Sequence, residues 1–339
     1  MNAAINEAIR AVGTAEAELG EETFRVNELQ VEAGRLVAGG RRFELKDAGL
    51  ERLCKRLGAP AHYLSSLDAT VASPVLQYHL ERGDLGKGRI TLVSRNGTFV
   101  AFRRIDLTRL AAEEVIRAVA SGIGNDTEKL YVGKVAVSSD AFELDLLCEE
   151  VSEEVRPGDI VRAGVRVTHS LIGEYATQIE SYLLRLLCSN GMTHRECAGR
   201  RAVRTRRLAA DHPDARRLQV AQIGRLTADV WGKLAEKLAA FRSLREEQID
   251  VPAFLECWLG RARLSARNLM PILRQAWQEE GRETTAYGAV NALTRVATHN
   301  VDLPVRQRQI LSRLAGLVSF RGLHICPRCF SLLAGAVPD

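Results

Sequence analysis

Apolar positions change period near the middle of this chain. Before residue 208 they fall in short β-rich runs broken by glycine turns. From Pro213 onward they step by three or four. Ile5, Ile9 and Val12 predict a short helix over 2–20, closed by Gly20. Residues 24–31 and 35–45 read as two strands around a glycine-containing link. Leu50, Leu53, Cys54 and Leu57 then share one helical face. Gly58 is the natural cap of that helix, and Pro60 follows it. A short helix is expected at 75–83. In ITLVSRNGTFVAFRR two β-rich runs flank Asn96-Gly97, a pair that tolerates positive φ and predicts a tight hairpin. Residues 107–120 read as helix. Three more strands are expected over 130–150 and 159–169, with Arg156-Pro157-Gly158-Asp159 turning into the third.

After Thr168 two readings compete. Ile179, Leu183, Leu186 and Leu187 have helical spacing, while YATQIESYLLRLL alternates for part of its length. The expectation adopted is strand to about Glu180, then a short buried segment ending at Cys188. Ile223, Leu226, Val230, Leu234, Leu238 and Phe241 predict one long amphipathic helix over 214–245. Shorter helices follow at 252–262, 267–280, 284–300 and 304–317, with Pro252, Pro271 and Pro304 near helix starts. Strands before and helices after 208–213 predict an α+β fold. A mostly antiparallel β domain with short helices over 1–212 would be followed by a helical region over 213–339.

At 339 residues, with 46% apolar and 26% charged side chains, the chain has the composition of a soluble globular protein. The N-terminal stretch carries acids and has no apolar core of a signal peptide, and no apolar run is long enough for a membrane span. Seven cysteines, an odd and widely spaced set, fit a reducing cytoplasm better than a disulfide framework. The expected location is therefore cytoplasmic, with no membrane partner.

Net charge is only +5, so a nucleic-acid reading depends on where the charge sits. It sits at 195–217. Arg195, Arg200, Arg201, Arg204, Arg206, Arg207, Arg216 and Arg217 stand there against Glu196, Asp211 and Asp214. Guanidinium groups grip phosphates as bidentate donors. Arg89, Arg95, Arg103 and Arg104 of the hairpin are expected to help, with Arg103 and Arg104 lining a groove. Tyr175 and Tyr182 are candidates for base stacking. The plainer reading of the arginines is a solvated or internally paired surface, and of the tyrosines, core.

Cys188, Asn190, Gly191 and Met192 belong to a Cys-Ser-Asn-Gly-Met turn, since Asn-Gly accepts left-handed backbone. Cys188 with His194 invites a thiol nucleophile, but no third orienting group is visible and a buried thiol beside a turn is the plainer account. His324, Cys326 and Cys329 carry half of a tetrahedral metal set, for which zinc is the natural ion. The other half would have to come from Cys188, His194 or Cys197. Otherwise no cofactor is expected. The glycine-rich run Gly83-Asp84-Leu85-Gly86-Lys87-Gly88 lacks P-loop spacing and reads as a turn, as does Gly122-Ile123-Gly124. No hydrolase, kinase or metalloprotease signature appears.

FELKDAGLERLCKRLGAPAHYLSSL, LLRLLCSNGMT and TTAYGAVNALTRVATHN occur in an order and spacing that resembles the phage- and plasmid-associated family known as domain of unknown function 932. The resemblance spans about residues 24–315. The Cys-x-Asn-Gly-Met and Thr-Ala-Tyr-Gly-x-x-Asn-Ala stretches are its most specific parts, and the CxxC tail is not among its hallmarks. It implies a role in the DNA metabolism of mobile elements and supplies no catalytic residues. The layout is also loosely similar to the single-strand annealing proteins of phages. The leading expectation is a non-enzymatic protein that binds single-stranded DNA and forms homo-oligomers. An assembly protein without nucleic acid and a metal-dependent enzyme with Cys/His ligands are the alternatives.

Overall fold

The computed structural model describes residues 3–83, 85, 88–103, 109–138, 140–185, 190–194, 214–300 and 302–321, with the backbone alone at 47, 190–194, 305, 306, 309, 320 and 321. The fold is mixed α+β, built on two sheets. The first is made by β1 (Leu19–Arg25), β2 (Leu29–Glu32), β3 (Arg35–Ala38), β4 (Arg41–Glu44), β5 (Arg89–Arg95) and β6 (Thr98–Arg103), in the order β1-β5-β6-β4-β3-β2. Its pairs are antiparallel except for a single parallel bridge between β4 and β6. The two strands expected before residue 46 are therefore four. The 3₁₀ turn Val26–Glu28 divides the first of them, and Gly39 at φ 54° and Gly40 at φ 79° divide the second. At the β5–β6 turn Asn96 has φ 48° and Gly97 φ 75°, which joins the strands as the sequence predicts.

Three helices cover one face of this sheet: α2 (Asp47–Leu57), α3 (Ala61–Ser65) and α4 (Ala69–Arg82). Leu53, Cys54 and Leu57 of α2 pack with Leu76 and Leu80 of α4 against Phe24, Leu36, Phe43 and Phe99. Gly58, at φ 67°, caps α2 in the left-handed region, as expected. Helix α4 starts earlier than its apolar spacing indicates, because Ser73 turns inward and its hydroxyl bonds Ala69 O at 2.6 Å.

The second sheet is an antiparallel meander of β7 (Leu130–Val137), β8 (Ala141–Arg156), β9 (Asp159–Ser170), β10 (Gln178–Arg185) and β11 (Asn190–His194). Alternation puts Val161, Ala163, Val165 and Val167 on one face of β9. Two helix groups share that face. Val165 and Val167 pack with α1 (Ala3–Ala17), α5 (Ala112–Ile123) and α6 (Ala215–Trp231). Val161 and Ala163 pack with α7 (Leu234–Ser243), α8 (Val251–Arg261), α9 (Ala266–Glu279), α10 (Ala286–His299) and α11 (Val305–Arg321). The helical half thus shares both of its cores with the strands that precede it. No helix among the described residues is long and apolar enough to cross a membrane.

The single long helix expected over 214–245 is two. The apolar stripe continues, but it changes cores at Gly232. Ile223 and Val230 face α5, whereas Leu234, Leu238 and Phe241 face α8–α11. The last residue of α6 is anchored by Trp231 Nε1, which donates to Asp126 Oδ2 at 2.9 Å. Similarly α5 starts at Ala112, not near 107. Glu114 accepts from Ala111 N at 2.8 Å and fixes that end.

Helices α5 and α6 cross almost backbone to backbone. A Cβ on Gly122 would lie 2.3 Å from Gly224 O and 2.7 Å from Thr227 Cβ. Gly122→Ala is therefore expected to force the two helices apart, at a cost of about 1–3 kcal/mol. Urea unfolding checks this, and an unchanged midpoint would contradict the close crossing.

Candidate functional site

Of the arginines expected to meet nucleic acid, the structure describes Arg89, Arg95, Arg216 and Arg217 and, of those assigned to the phosphates or the groove, Arg103. It ends β6, and its guanidinium is bonded to Glu21, with its side chain only 14% exposed. It is therefore an internal ion-pair partner and not a free cation lining a groove. Arg109 grips the same Glu21 and also Glu16. Arg104, Arg195, Arg200, Arg201, Arg204, Arg206 and Arg207 lie outside the described residues, as do Cys188, Cys326 and Cys329. Tyr182 is buried in the sheet beneath Arg166, whose guanidinium carbon stands 4.3 Å from the ring centroid. Arg166 is itself held by both oxygens of Asp145, at 2.5 and 2.6 Å. Tyr182 is thus core, not a stacking platform.

Asn190, Gly191 and Met192 are not in a turn. They form the start of β11, paired antiparallel with β10 from Arg185↔Asn190 to Ser181↔His194. Asn-Gly signals a reversal only where its positive φ is used, and pairing to β10 keeps these residues in the ladder. The link between the strands is 186–189, outside the described residues.

The register puts Asn190 opposite Arg185, and Arg185 is the chemical anomaly of the molecule. It lies within the apolar run YLLRLLC, yet its side chain is fully buried. Its Nε donates to Asp159 Oδ1 at 2.6 Å and its Nη1 to Glu280 Oε2 at 2.5 Å. Tyr287 donates its hydroxyl to the other oxygen of Asp159. Arg156 also meets Asp159, at 3.1 Å, and Arg295 meets Glu280 at 3.1 Å and Glu279 at 2.9 Å. Burial alone would raise the Asp159 carboxyl, but the bonds from Arg185 and Tyr287 outweigh it and hold the group below its ordinary range. Burial likewise opposes charge on Arg185, and its two carboxylates more than offset that. The cluster is therefore a charged network inside the protein, where removing one member is costly. Among the described residues, Arg185 Nη2 and the nearby Asn291 Oδ1 have no hydrogen-bond partner.

Four elements meet here. Asp159 opens β9, Arg185 ends β10, Glu280 follows α9, and Tyr287 and Asn291 lie one turn apart on α10. Thr285 caps α10 by accepting from Gly288 N at 3.2 Å. A Cβ on Gly288 would sit 2.3 Å from Glu283 O. The Thr-Ala-Tyr-Gly-x-x-Asn stretch thus has a physical account. Threonine caps, tyrosine joins the network, glycine permits close approach, and asparagine is buried beside it. The two stretches singled out from the sequence converge, since the Asn-Gly-Met strand starts where Arg185 is clamped. β11 leads from that clamp to residue 195, the first of the arginine run, and α6 resumes the chain at Ala215. Within the network no nucleophile is set against a base, so what it offers is charge and position.

A second buried titratable group lies in the neighbouring core. His169 is 5% exposed, its Nδ1 is 2.8 Å from Thr177 Oγ1 and its Nε2 is 3.3 Å from Leu110 O. Burial pushes its pKa down from 6.5 to about 4. The unfolded chain then binds a proton that the folded chain refuses. Stability is complete above the unfolded value and falls as pH drops from about 6.5 towards 4, by on the order of 3 kcal/mol. His169→Asn is expected to flatten that part of the stability–pH curve, measured by urea unfolding at stepped pH.

Among the described residues no three His, Cys, Asp or Glu side chains gather as a metal ion requires. His194 is described by its backbone alone. No family model, no curated protein and no solved structure matches this chain.

Proposed function

We propose that the protein binds single-stranded nucleic acid, DNA in particular, through Arg195, Arg200, Arg201, Arg204, Arg206 and Arg207. One contrast supports this reading. Several arginines of the folded body are matched by carboxylates: Arg103 by Glu21, Arg166 by Asp145, Arg185 by Asp159 and Glu280, and Arg216 bidentately by Glu114. Between residues 195 and 207 the sequence places six arginines against the single acid Glu196. A segment with that imbalance, tied to β11 at one end and to α6 at the other, suits the phosphate backbone of a flexible strand. The hairpin contributes less than its arginine content suggests, because Arg95 reaches Ala15 O at 2.9 Å and Arg103 is paired. The resemblance to the phage- and plasmid-associated family favours DNA over RNA.

The test is fluorescence anisotropy of a labelled oligothymidylate with the full chain and with the variant in which Arg204, Arg206 and Arg207 are Ala. Saturable binding at low salt that weakens in the variant supports the reading. No binding at low salt, or equal binding by the variant, removes it.

A further inference from the structure

Arg25 ends β1 and Arg89 opens β5, and the two are partners in register across the antiparallel pair. Both are exposed, and among the described residues neither guanidinium meets a carboxylate. Like charges opposed across a ladder are destabilising. Elsewhere the same sheet sets opposite charges together: Arg35 faces Glu44 at 2.7 Å and Arg41 reaches Glu22 at 2.5 Å. The bare pair lines a cleft of about 760 Å³ between the β1–β2 connection and α4.

The rest of the cleft is suited to a small ligand. Leu29 and Leu80 give it an apolar wall, and Asn27 and Gln30 bring amide groups with both donors and acceptors. Gln77 is already fixed, its Oε1 accepting from Val31 N and its Nε2 donating to Glu81, both at 2.8 Å. Among the described residues of the lining Glu81 is the one carboxylate, held at the α4 side by Gln77. Gly88 joins the lining at φ 126°, with its carbonyl accepting from Val26 N at 3.0 Å. The volume falls within the roughly 300–1,000 Å³ common to small-ligand sites. Two unpaired arginines supply a phosphate grip, and the apolar wall with its flanking amides supplies a seat for a base.

We propose that this cleft binds a mononucleotide, with its phosphates between Arg25 and Arg89 and its base against Leu29 and Leu80. The site is separate from the arginine segment and does not depend on the single-strand reading.

Calorimetric titration of the full chain with adenosine diphosphate and with guanosine diphosphate, at low salt, tests it. At least one nucleotide is expected to saturate, and to bind at least about tenfold more weakly to Arg25→Gln and to Arg89→Gln. Inorganic phosphate alone is expected to bind more weakly than that nucleotide, and equal affinity would overturn the assignment. The ligand-free variants are expected to unfold at the same or higher urea concentration, since each removes a like-charge contact, and a lower midpoint would overturn the bare-pair argument. The variant with Ala at 204, 206 and 207 is expected to keep full nucleotide affinity. Affinity lost there and kept in Arg25→Gln and Arg89→Gln would place the nucleotide on the arginine segment and overturn the cleft, whatever the outcome for single strands.

Discussion

Arg185→Met is expected to lower the free energy of unfolding by about 3–5 kcal/mol at neutral pH. Methionine fills much of the same space, so the loss is not mainly one of packing. It arises because Asp159 and Glu280 remain buried with their central cation gone. Arg156 still reaches Asp159 at 3.1 Å and Arg295 still reaches Glu280 at 3.1 Å, but both are edge partners, 26% and 33% exposed. The pH dependence identifies the cause. In the native protein the Asp159 carboxyl is held below its ordinary 3.8, so its contribution is present above that value and is lost as pH falls through the folded one. Without Arg185, burial dominates and the folded value rises above the unfolded one, so the variant regains stability as pH falls. The difference between native and variant proteins should therefore shrink from neutral pH to about pH 5. Taking the difference cancels the opposite trend from His169, which both carry. A gap that stays constant with pH would mean that lost packing, not buried charge, explains the result.

The second large effect concerns binding. If six arginines each neutralise one phosphate of a single strand, the logarithm of affinity falls against the logarithm of salt with a slope of about −4. Replacing Arg204, Arg206 and Arg207 with Ala should halve that slope to about −2. It should also reduce affinity near 50 mM salt by about 10²–10³-fold. Arg216→Ala serves as the contrast. Its guanidinium is clamped by both oxygens of Glu114, and its removal should leave the slope unchanged.

Local chemistry made some of the fold legible and left the rest dark. Helix α2 could be read from Leu53, Cys54, Leu57 and the Gly58 cap because capping and amphipathicity act within a dozen residues. The Asn96-Gly97 hairpin could be read for the same reason. Helices α8–α11 followed from spacing, with Pro252 and Pro304 at the starts of α8 and α11, whereas Pro271 sits inside α9 and not at its start. By contrast, nothing local announces that the stripe running through Leu226, Val230 and Leu234 changes cores at Gly232. That break depends on where α5 and α8 pack. The strand at 178–185 resisted a single reading because a β10 buried on both faces carries an apolar run that also suits a helix.

The buried network was hidden for a different reason. Asp159 and Tyr287 are 128 residues apart, and Arg185 and Glu280 are 95 apart. Only packing of α9 and α10 on the sheet joins them. One signal was present: an arginine inside LLRLLC cannot sit in an apolar interior without carboxylates, so it demanded distant acids. Reading Arg103 as a groove cation failed through the converse. Sequence shows charge but not the Glu21 that meets it. Asn190-Gly191 showed turn-forming residues whose backbone is instead held in β11 by its register with β10.

The most direct test of the central claim is the salt dependence of single-strand binding by the native full chain, followed from about 50 to 200 mM salt. A slope near −4, falling to near −2 when Arg204, Arg206 and Arg207 become Ala, is the expected result. Affinity that is absent at 50 mM, or present with a slope identical in both proteins, would contradict it.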